Sequence, residues 1–116
     1  MTVLTLSSVT RVFVFSEPTD MRKSFNGLSG LVRQHFEVDL LSGHLFLFFN
    51  HRRDSVKILA WDRDGLSIWY KRLEAGTFQI PGSSESSLEI DHAQLAMLLS
   101  GIDLASAKRR KRYRAA

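Results

Sequence analysis

The sequence predicts an α+β fold in which an antiparallel β-meander of four to five strands packs against one long helix. Runs rich in β-branched and aromatic residues follow one another closely between residues 45 and 80. Apolar residues recur at helical spacing between residues 21 and 36. The connections "HRRDS", "RDG" and "EAG" are short and polar, which is typical of links between antiparallel neighbours.

The N-terminal part supplies one strand and the long helix. The segment "RVFVF" (11–15) predicts a first strand, whose place in the sheet the sequence leaves open. Thr19 or Asp20 can cap a helix that runs from about Met21 to Phe36. Its apolar positions are Met21, Phe25, Leu28, Leu31, Val32 and Phe36. The segment "VDLLSGH" follows as a loop.

The C-terminal part supplies the meander and a short helix. Strands are predicted at Leu45–Asn50, Val56–Asp62 and Leu66–Leu73, with a shorter one at Thr77–Ile80. Pro81 and "GSSESS" predict a flexible loop. Asp91 then caps a helix from His92 to about Leu99, which ends at Gly101.

Charge divides the chain into a body and a tail. The segment "KRRKRYR" (108–114) holds six of the sixteen Lys and Arg residues, and the other 109 residues hold ten against all twelve Asp and Glu. The body therefore carries about −2 and the tail about +6. Because residues 104–116 lack apolar periodicity, we expect a single domain over residues 1–103 and a disordered basic tail over 104–116.

The body has its own concentration of positive charge. Residues 50–73 hold six cations against three Asp. These cations are Arg52, Arg53, Lys57, Arg63, Lys71 and Arg72. A basic hairpin region and a basic tail both favour a polyanionic partner.

Alternation of strand side chains defines two sheet faces. We expect an aliphatic face, which forms the core under the long helix, to contain Leu45, Leu47, Phe49, Val56, Ile58, Ala60, Leu66, Ile68 and Tyr70. A mixed face of aromatics and lysines would contain Phe46, Phe48, Asn50, Lys57, Leu59, Trp61, Ser67, Trp69, Lys71 and Leu73. Such a face either stacks the bases of a single strand or is covered by another layer or subunit, and the second interpretation is favoured. A register slip of one residue would exchange the sets.

Several functional classes lack their residues. The chain has no Cys, which excludes disulfides, thiolate zinc sites and cysteine nucleophiles. No apolar run approaches a membrane span and the N-terminus lacks a signal-peptide pattern, so we expect a cytoplasmic protein. The four His show no metal-ligand spacing, and no nucleotide-binding glycine pattern exists. We expect no catalytic residues, no cofactor and no metal.

Arg22 and Lys23 are predicted to lie in the first turn of the long helix, where cations oppose the helix dipole. Such an unfavourable position favours a role in binding a phosphate or an acidic partner. A salt bridge to Asp20 or Glu17 is the alternative.

Three ordered blocks resemble a known family. They read "PTDMRKSFNGL" (18–28), "SGHLFLFFNHRRDSVKILAWDRDG" (42–65) and "IWYKRLEAGTF" (68–78), and "LAMLLSGID" (95–103) fits as well. Together they are similar to the TnpB-type accessory protein of IS66 insertion sequences, which is not the RNA-guided nuclease of the same name. The basic tail lies outside the shared region.

The resemblance implies an accessory protein required for transposition of its element, encoded beside a separate transposase that performs the strand chemistry. No catalytic activity is established for the family. DNA at the element ends and the transposase are the expected partners, and self-association stays open. Two alternatives remain, namely a protein-interaction module without DNA binding and a small metal-dependent nuclease that uses Asp54, Asp62 or Asp64.

The residues expected to bind nucleic acid or a partner combine the family blocks with the tail. From the blocks they are Arg22, Lys23, Arg52, Arg53, Lys57, Trp61, Trp69, Lys71 and Arg72. From the tail they are Lys108, Arg109, Arg110, Lys111, Arg112 and Arg114. Asp20 is expected to cap the helix and position the corner that holds Arg22.

Overall fold

The computed structural model describes residue 7 and residues 9–101 of the 116-residue chain. Its elements are β1 (Val12–Phe15), α1 (Phe25–His35), a 3-10 turn (Leu40–Ser42), β2 (Leu45–Phe49), β3 (Ser55–Asp62), β4 (Gly65–Arg72), β5 (Ser87–Ile90) and α2 (His92–Ser100). The α+β class is confirmed. Within these described ranges, neither helix has the length and apolar character that crossing a bilayer requires.

The five strands form one sheet in the order β4-β3-β2-β1-β5. Strand β1 lies between β2 and β5, and it runs parallel to β2, with Val12 beside Leu45 and Phe15 beside Phe48. All other pairs are antiparallel. The prediction of a purely antiparallel meander is therefore wrong for β1. The physical reason is the long connection through α1, which returns the chain to the starting end of β1 before β2 begins.

The long helix predicted over residues 21–36 is shorter, because α1 begins only after a separate turn. Asp20 closes that turn: its carboxylate accepts from the amide of Arg22 at 2.8 Å, and its carbonyl accepts from the amide of Lys23 at 3.0 Å. The N-cap residue of α1 is Ser24, which makes no side-chain cap. Neither Asp20 nor the residue before it caps α1, so that prediction is wrong. Arg22 and Lys23 precede the N-cap and are not part of the first turn of α1, where they were predicted.

The fifth strand is absent from the sequence prediction. Strand β5 (Ser87–Ile90) pairs with β1 and overlaps the predicted flexible, serine-rich loop only at Ser87. Residues 77–80 form no strand. The amide of Phe78 instead donates to the carbonyl of Arg53 at 2.7 Å, and the Phe78 ring is buried in the core. Polar and apolar residues alternate in "SLEI", which is a strand pattern, but the preceding serines favoured the prediction of a loop.

The C-terminal helix α2 forms as predicted. The Asp91 carboxylate accepts from the amide of Gln94 at 2.7 Å, and the Gln94 side chain accepts from the amide of Asp91 at 2.9 Å. This reciprocal pair is a capping box. Gly101 ends the helix with φ 85°, a left-handed conformation that glycine adopts without steric conflict.

Each face of the sheet carries its own core. The aliphatic core, which α2 covers, contains Val12, Val14, Leu45, Leu47, Phe49, Val56, Ile58, Phe78, Ile90, Leu95 and Leu98. The phenylalanine core, which α1 covers, contains Phe13, Phe15, Leu28, Val32, Phe36, Leu40, Phe46, Phe48 and Leu59. The prediction that the long helix covers the aliphatic face is therefore wrong. Phe46 and Phe48 are fully buried, as the covered-layer interpretation required, and they are unavailable for stacking.

The β3–β4 hairpin also differs from the predicted register. It turns in two residues, so Asp62 pairs with Gly65 and Ile58 pairs with Trp69. Trp69 consequently lies on the aliphatic face, where it packs against that core. Tyr70 lies on the opposite face, which α1 covers. Trp69 and Tyr70 were both predicted on the wrong face, because the predicted register between β3 and β4 differs from the observed one by one residue.

Candidate functional site

The β2–β3 loop is held rigidly by one side chain. The Oδ1 atom of Asn50 accepts from the amides of Asp54 at 3.1 Å and Ser55 at 3.0 Å, while its Nδ2 donates to the Asp54 carboxylate at 2.6 Å. The amide of Arg53 donates to the Asn50 carbonyl at 3.1 Å. The loop therefore presents the exposed side chains of Arg52 and Arg53 from a fixed backbone.

Arg53 adopts a backbone conformation that most side chains avoid. Its φ is 60°, in the left-handed region where a Cβ atom crowds the backbone. The only other such non-glycine position among the described residues is Arg63, with φ 59°, in the β3–β4 turn. Glycine would relieve the crowding at either position. At Arg53 the chain thus accepts backbone strain while keeping a cation on the loop.

The turn that follows β1 is joined to the same end of the sheet. The amide of Thr19 donates to the carbonyl of Phe49, the last residue of β2, at 2.8 Å. Arg22 then binds the Asp20 carboxylate through two nitrogens, with Nη2–Oδ2 at 2.7 Å and Nε–Oδ2 at 3.0 Å. The expected salt-bridge alternative for Arg22 is therefore present, although the Arg22 side chain remains 91% exposed. An ion pair this exposed stabilises the fold little.

The same contact perturbs the carboxylate. Hydrogen bonds from Arg22 to its charged form lower the pKa of Asp20 to about 2. The pKa of Asp20 is lower in the folded state than in the unfolded chain. The Asp20–Arg22 pair therefore stabilises the fold above the ordinary pKa of aspartate, and this stabilisation is lost as the pH falls toward 2. The Asp20 carboxylate is therefore fully ionised at neutral pH.

Lys57 ties this turn to the sheet. Its ammonium donates to the carbonyls of Met21 and Lys23, both at 2.7 Å, and lies 4.8 Å from the centre of the Tyr70 ring. The residue is only 8% exposed. Its ammonium group is therefore engaged inside the protein, where it holds the backbone of the Arg22 turn in place.

The end of β4 completes the arrangement. Arg72 pairs with Ser55 and Lys71 pairs with Val56, so both cations lie beside the start of β3. The amide of the next residue, Leu73, donates to the Asp54 carbonyl of the β2–β3 loop at 2.7 Å. Consecutive strand residues point to opposite faces, so the two cations project on either side of the sheet edge.

These three segments form a surface that we call the basic end. Its six members are all exposed: Arg22, Lys23, Arg52, Arg53, Lys71 and Arg72. Four carboxylates belong to the same segments: Glu17, Asp20, Asp54 and Glu74. Asp20 is paired with Arg22, and Asp54 is hydrogen-bonded to Asn50. Six cations against four carboxylates leave the basic end with a net charge of +2.

A shallow groove of about 380 Å³ lies between the turn after β1 and the β2–β3 loop. It is lined by Pro18, Thr19, Asp20, Met21, Asn50, His51 and Arg52. The hydroxyl of Thr19 is buried beside it and has no hydrogen-bond partner among the described residues. The groove thus brings the Arg22 turn and the Arg52 loop to opposite sides of one depression.

The two tryptophans do not join the basic end. Trp61 pairs with Leu66 next to the β3–β4 turn, at the other end of the sheet, and Trp69 packs against the aliphatic core. Tyr70, which the sequence analysis assigned to the core, is instead 53% exposed and lies beside the turn that Lys57 holds. Counting outward from the two-residue turn would have identified it. The tail cations fall outside the described residues and stay a prediction.

The three carboxylates predicted for a nuclease do not all lie together, because Asp54 is at the opposite end of β3 from Asp62 and Asp64. Asp54 precedes β3, whereas Asp62 ends it and Asp64 lies in the turn beyond. Among the residues that the structure describes, no group of three or more His, Asp or Glu lies close enough to hold a metal ion.

Comparison with known proteins gives one family and two relatives. Residues 10–109 match the model of the family described as IS66 Orf2 like protein. An uncharacterized protein of Sinorhizobium fredii, y4jC, is 31% identical over 100 residues, which cover 86% of each chain. A second from the same strain, y4hO, is 36% identical over 93 residues, which cover 80% of this chain and 81% of the relative. No solved structure matches.

Replacing Lys57 by Met should destabilise the fold by about 1–3 kcal/mol, because the carbonyls of Met21 and Lys23 lose their donor while the side-chain length is retained. The matched control is Lys71→Met, which removes an exposed cation one residue from Tyr70 and should change the free energy of unfolding by no more than about 0.5 kcal/mol. Urea unfolding of both variants measures the difference. Equal stabilities would contradict the role given to Lys57.

Proposed function

Because the chain belongs to the IS66 Orf2-like family, we propose that it is a non-catalytic accessory factor for transposition of an insertion sequence, acting in the cytoplasm by binding DNA through its basic end. A separate transposase would perform the strand chemistry. The observation that carries this proposal is the convergence of six exposed cations, from segments far apart in the sequence, on one end of the sheet.

The geometry of the basic end supports a phosphate-bearing partner. Four of its six cations are Arg, whose planar guanidinium matches two phosphate oxygens at once. Arg22 already binds Asp20 in this way. This leaves Arg52, Arg53 and Arg72 for phosphate contacts. The loop of Arg52 and Arg53 is fixed by Asn50, and the turn of Arg22 and Lys23 is fixed by Lys57. A backbone that is already ordered loses less entropy on binding, so these cations are well placed to contact a DNA backbone.

The transposase is the second proposed partner, on the strength of the family. The two modes of binding differ in a measurable way. Phosphate contacts release condensed counterions and weaken steeply as salt rises, whereas an apolar protein interface does not. A partner that binds equally well at low and high salt would therefore be using another surface.

Neutralising two cations of the basic end should weaken DNA binding and make it less salt-dependent. We expect Arg52→Gln with Lys71→Gln to lower affinity for duplex element-end DNA at least about tenfold near 0.1 M salt. The slope of log affinity against log salt should become shallower by about 2, because each lost phosphate contact removes about 0.9. Fluorescence anisotropy over a salt series measures both quantities.

The control is Arg33→Gln with Arg63→Gln, which removes the same charge from exposed positions outside the basic end. This variant should retain the slope of the unmodified protein. If both double variants lose affinity equally, binding follows net charge alone and the basic end has no special role.

The strained arginine allows charge and stability to be separated. Arg53→Gly removes the cation and also relieves the left-handed backbone, so the free energy of unfolding should stay the same or rise by up to about 1 kcal/mol. DNA affinity should nevertheless fall several-fold. Arg63→Gly makes the same chemical change at the same φ outside the basic end and should leave affinity unchanged. Indistinguishable affinities for the two glycine variants would remove Arg53 from the binding surface.

We also propose that residues 1–103 carry the fold and that the tail adds affinity without sequence preference. A chain ending after residue 103 should unfold at the same urea concentration as the full chain. Its slope of log DNA affinity against log salt should become shallower by up to about 5, because six tail cations are removed. Residual binding should remain sensitive to Arg52→Gln. A truncated chain that folds but binds no DNA would assign the affinity to the tail.

A further inference from the structure

The two edges of the sheet are protected very differently. Strand β5 has four residues, and its Glu89 is ion-paired with Arg11 at 2.6 Å. Strand β4 has eight residues in unbroken register with β3. From Gly65 to Tyr70 it contains no charge and no proline. Exposed edge strands are normally prevented from pairing with another chain by their short length, by charged residues, by proline or by a bulge. Strand β4 has none of these features over its first six residues.

The free side of β4 offers a regular row of backbone groups. The amide of Leu73 donates toward β3, to the Asp54 carbonyl at 2.7 Å. Because bonding alternates along an antiparallel pair, the odd-numbered residues of β4 face β3 and the even-numbered ones face outward. The outward set is Leu66, Ile68, Tyr70 and Arg72. Each of these residues presents its backbone amide and its backbone carbonyl at the outer edge of β4, which is a terminal strand of the sheet among the described residues.

Charge selects both the partner and the register for this edge. Asp64 precedes β4 and Arg72 ends it, and both side chains are exposed. If a second β4 pairs antiparallel about a two-fold axis at Ile68, Asp64 of each copy lies opposite Arg72 of the other. Moving the axis to Trp69 would instead set Arg72 opposite Leu66 and remove this attraction. Strand β4 is therefore complementary to itself in one register.

We infer that β4 is a homodimerisation edge, where a second copy of the chain adds its own β4 antiparallel and joins two five-stranded sheets into one. Main-chain hydrogen bonds from the outward residues hold the pair, and two Asp64–Arg72 contacts fix its register. This inference does not depend on DNA binding. Since Arg72 also belongs to the basic end, the association is measured without DNA.

Exchanging the two charges tests the register. Sedimentation equilibrium of the unmodified chain should show a species of twice 13.2 kDa. Asp64→Arg alone and Arg72→Asp alone should each weaken dimerisation about tenfold or more, because each places like charges opposite one another at both symmetric sites. An equimolar mixture of the two variants should dimerise again, since the unlike chains restore both attractions. An unmodified chain that stays monomeric, or a mixture as weak as its components, overturns the inference.

Amide exchange tests the pairing without any substitution. The amides of Ser67, Trp69 and Lys71 face β3 and should be protected at every protein concentration. The amides of Leu66, Ile68, Tyr70 and Arg72 should gain protection only as the concentration rises through the dimer range. Hydrogen exchange followed by NMR resolves the two sets. A dimer in which the even-numbered amides stay unprotected places the interface elsewhere and overturns the inference.

Discussion

A buried ammonium group organises the functional end of this molecule. Lys57 reaches from the middle of the sheet to the carbonyls of Met21 and Lys23 and lies against the Tyr70 ring. A cation is very unfavourable in a protein interior unless polar groups surround it. The two carbonyls of the turn therefore stabilise the fold by accepting from Lys57. These hydrogen bonds fix where Arg22 points, although Arg22 itself makes no contact with the sheet core.

The strand order converts this local constraint into a surface. Because β1 runs parallel to β2, both strands end at the same side of the sheet, and the segments that follow them emerge together. Because β4 is antiparallel to β3, its last residues return to that side as well. A β1 antiparallel to β2 would have placed the Arg22 turn at the opposite end from Arg52. The parallel pair is thus the topological cause of the basic end.

Sequence reasoning succeeded where local chemistry decides the structure. The cap at Asp91, the stop at Gly101 and the exposed arginines of the β2–β3 loop all follow from a few adjacent residues. It failed where distant segments decide, since nothing near β1 indicates that β5 will pair with it. The register of β4 was recoverable, because a two-residue turn fixes each later pair by counting outward from Asp62 and Gly65. The role of Lys57 was not, because its partners are backbone atoms more than thirty residues away.

The position of β1 between β2 and β5 also determines when the sheet can close during synthesis. One neighbour of β1 begins at Leu45, and the other ends only at Ile90, where it pairs with Val12. Strand β1 therefore keeps one side open until β5 has been translated. Contacts between such distant segments slow folding, since a long loop must close before any hydrogen bond rewards it. The nascent chain consequently carries an unpaired, highly apolar "VFVF" edge through most of its translation, which is the interval in which a chaperone would engage it.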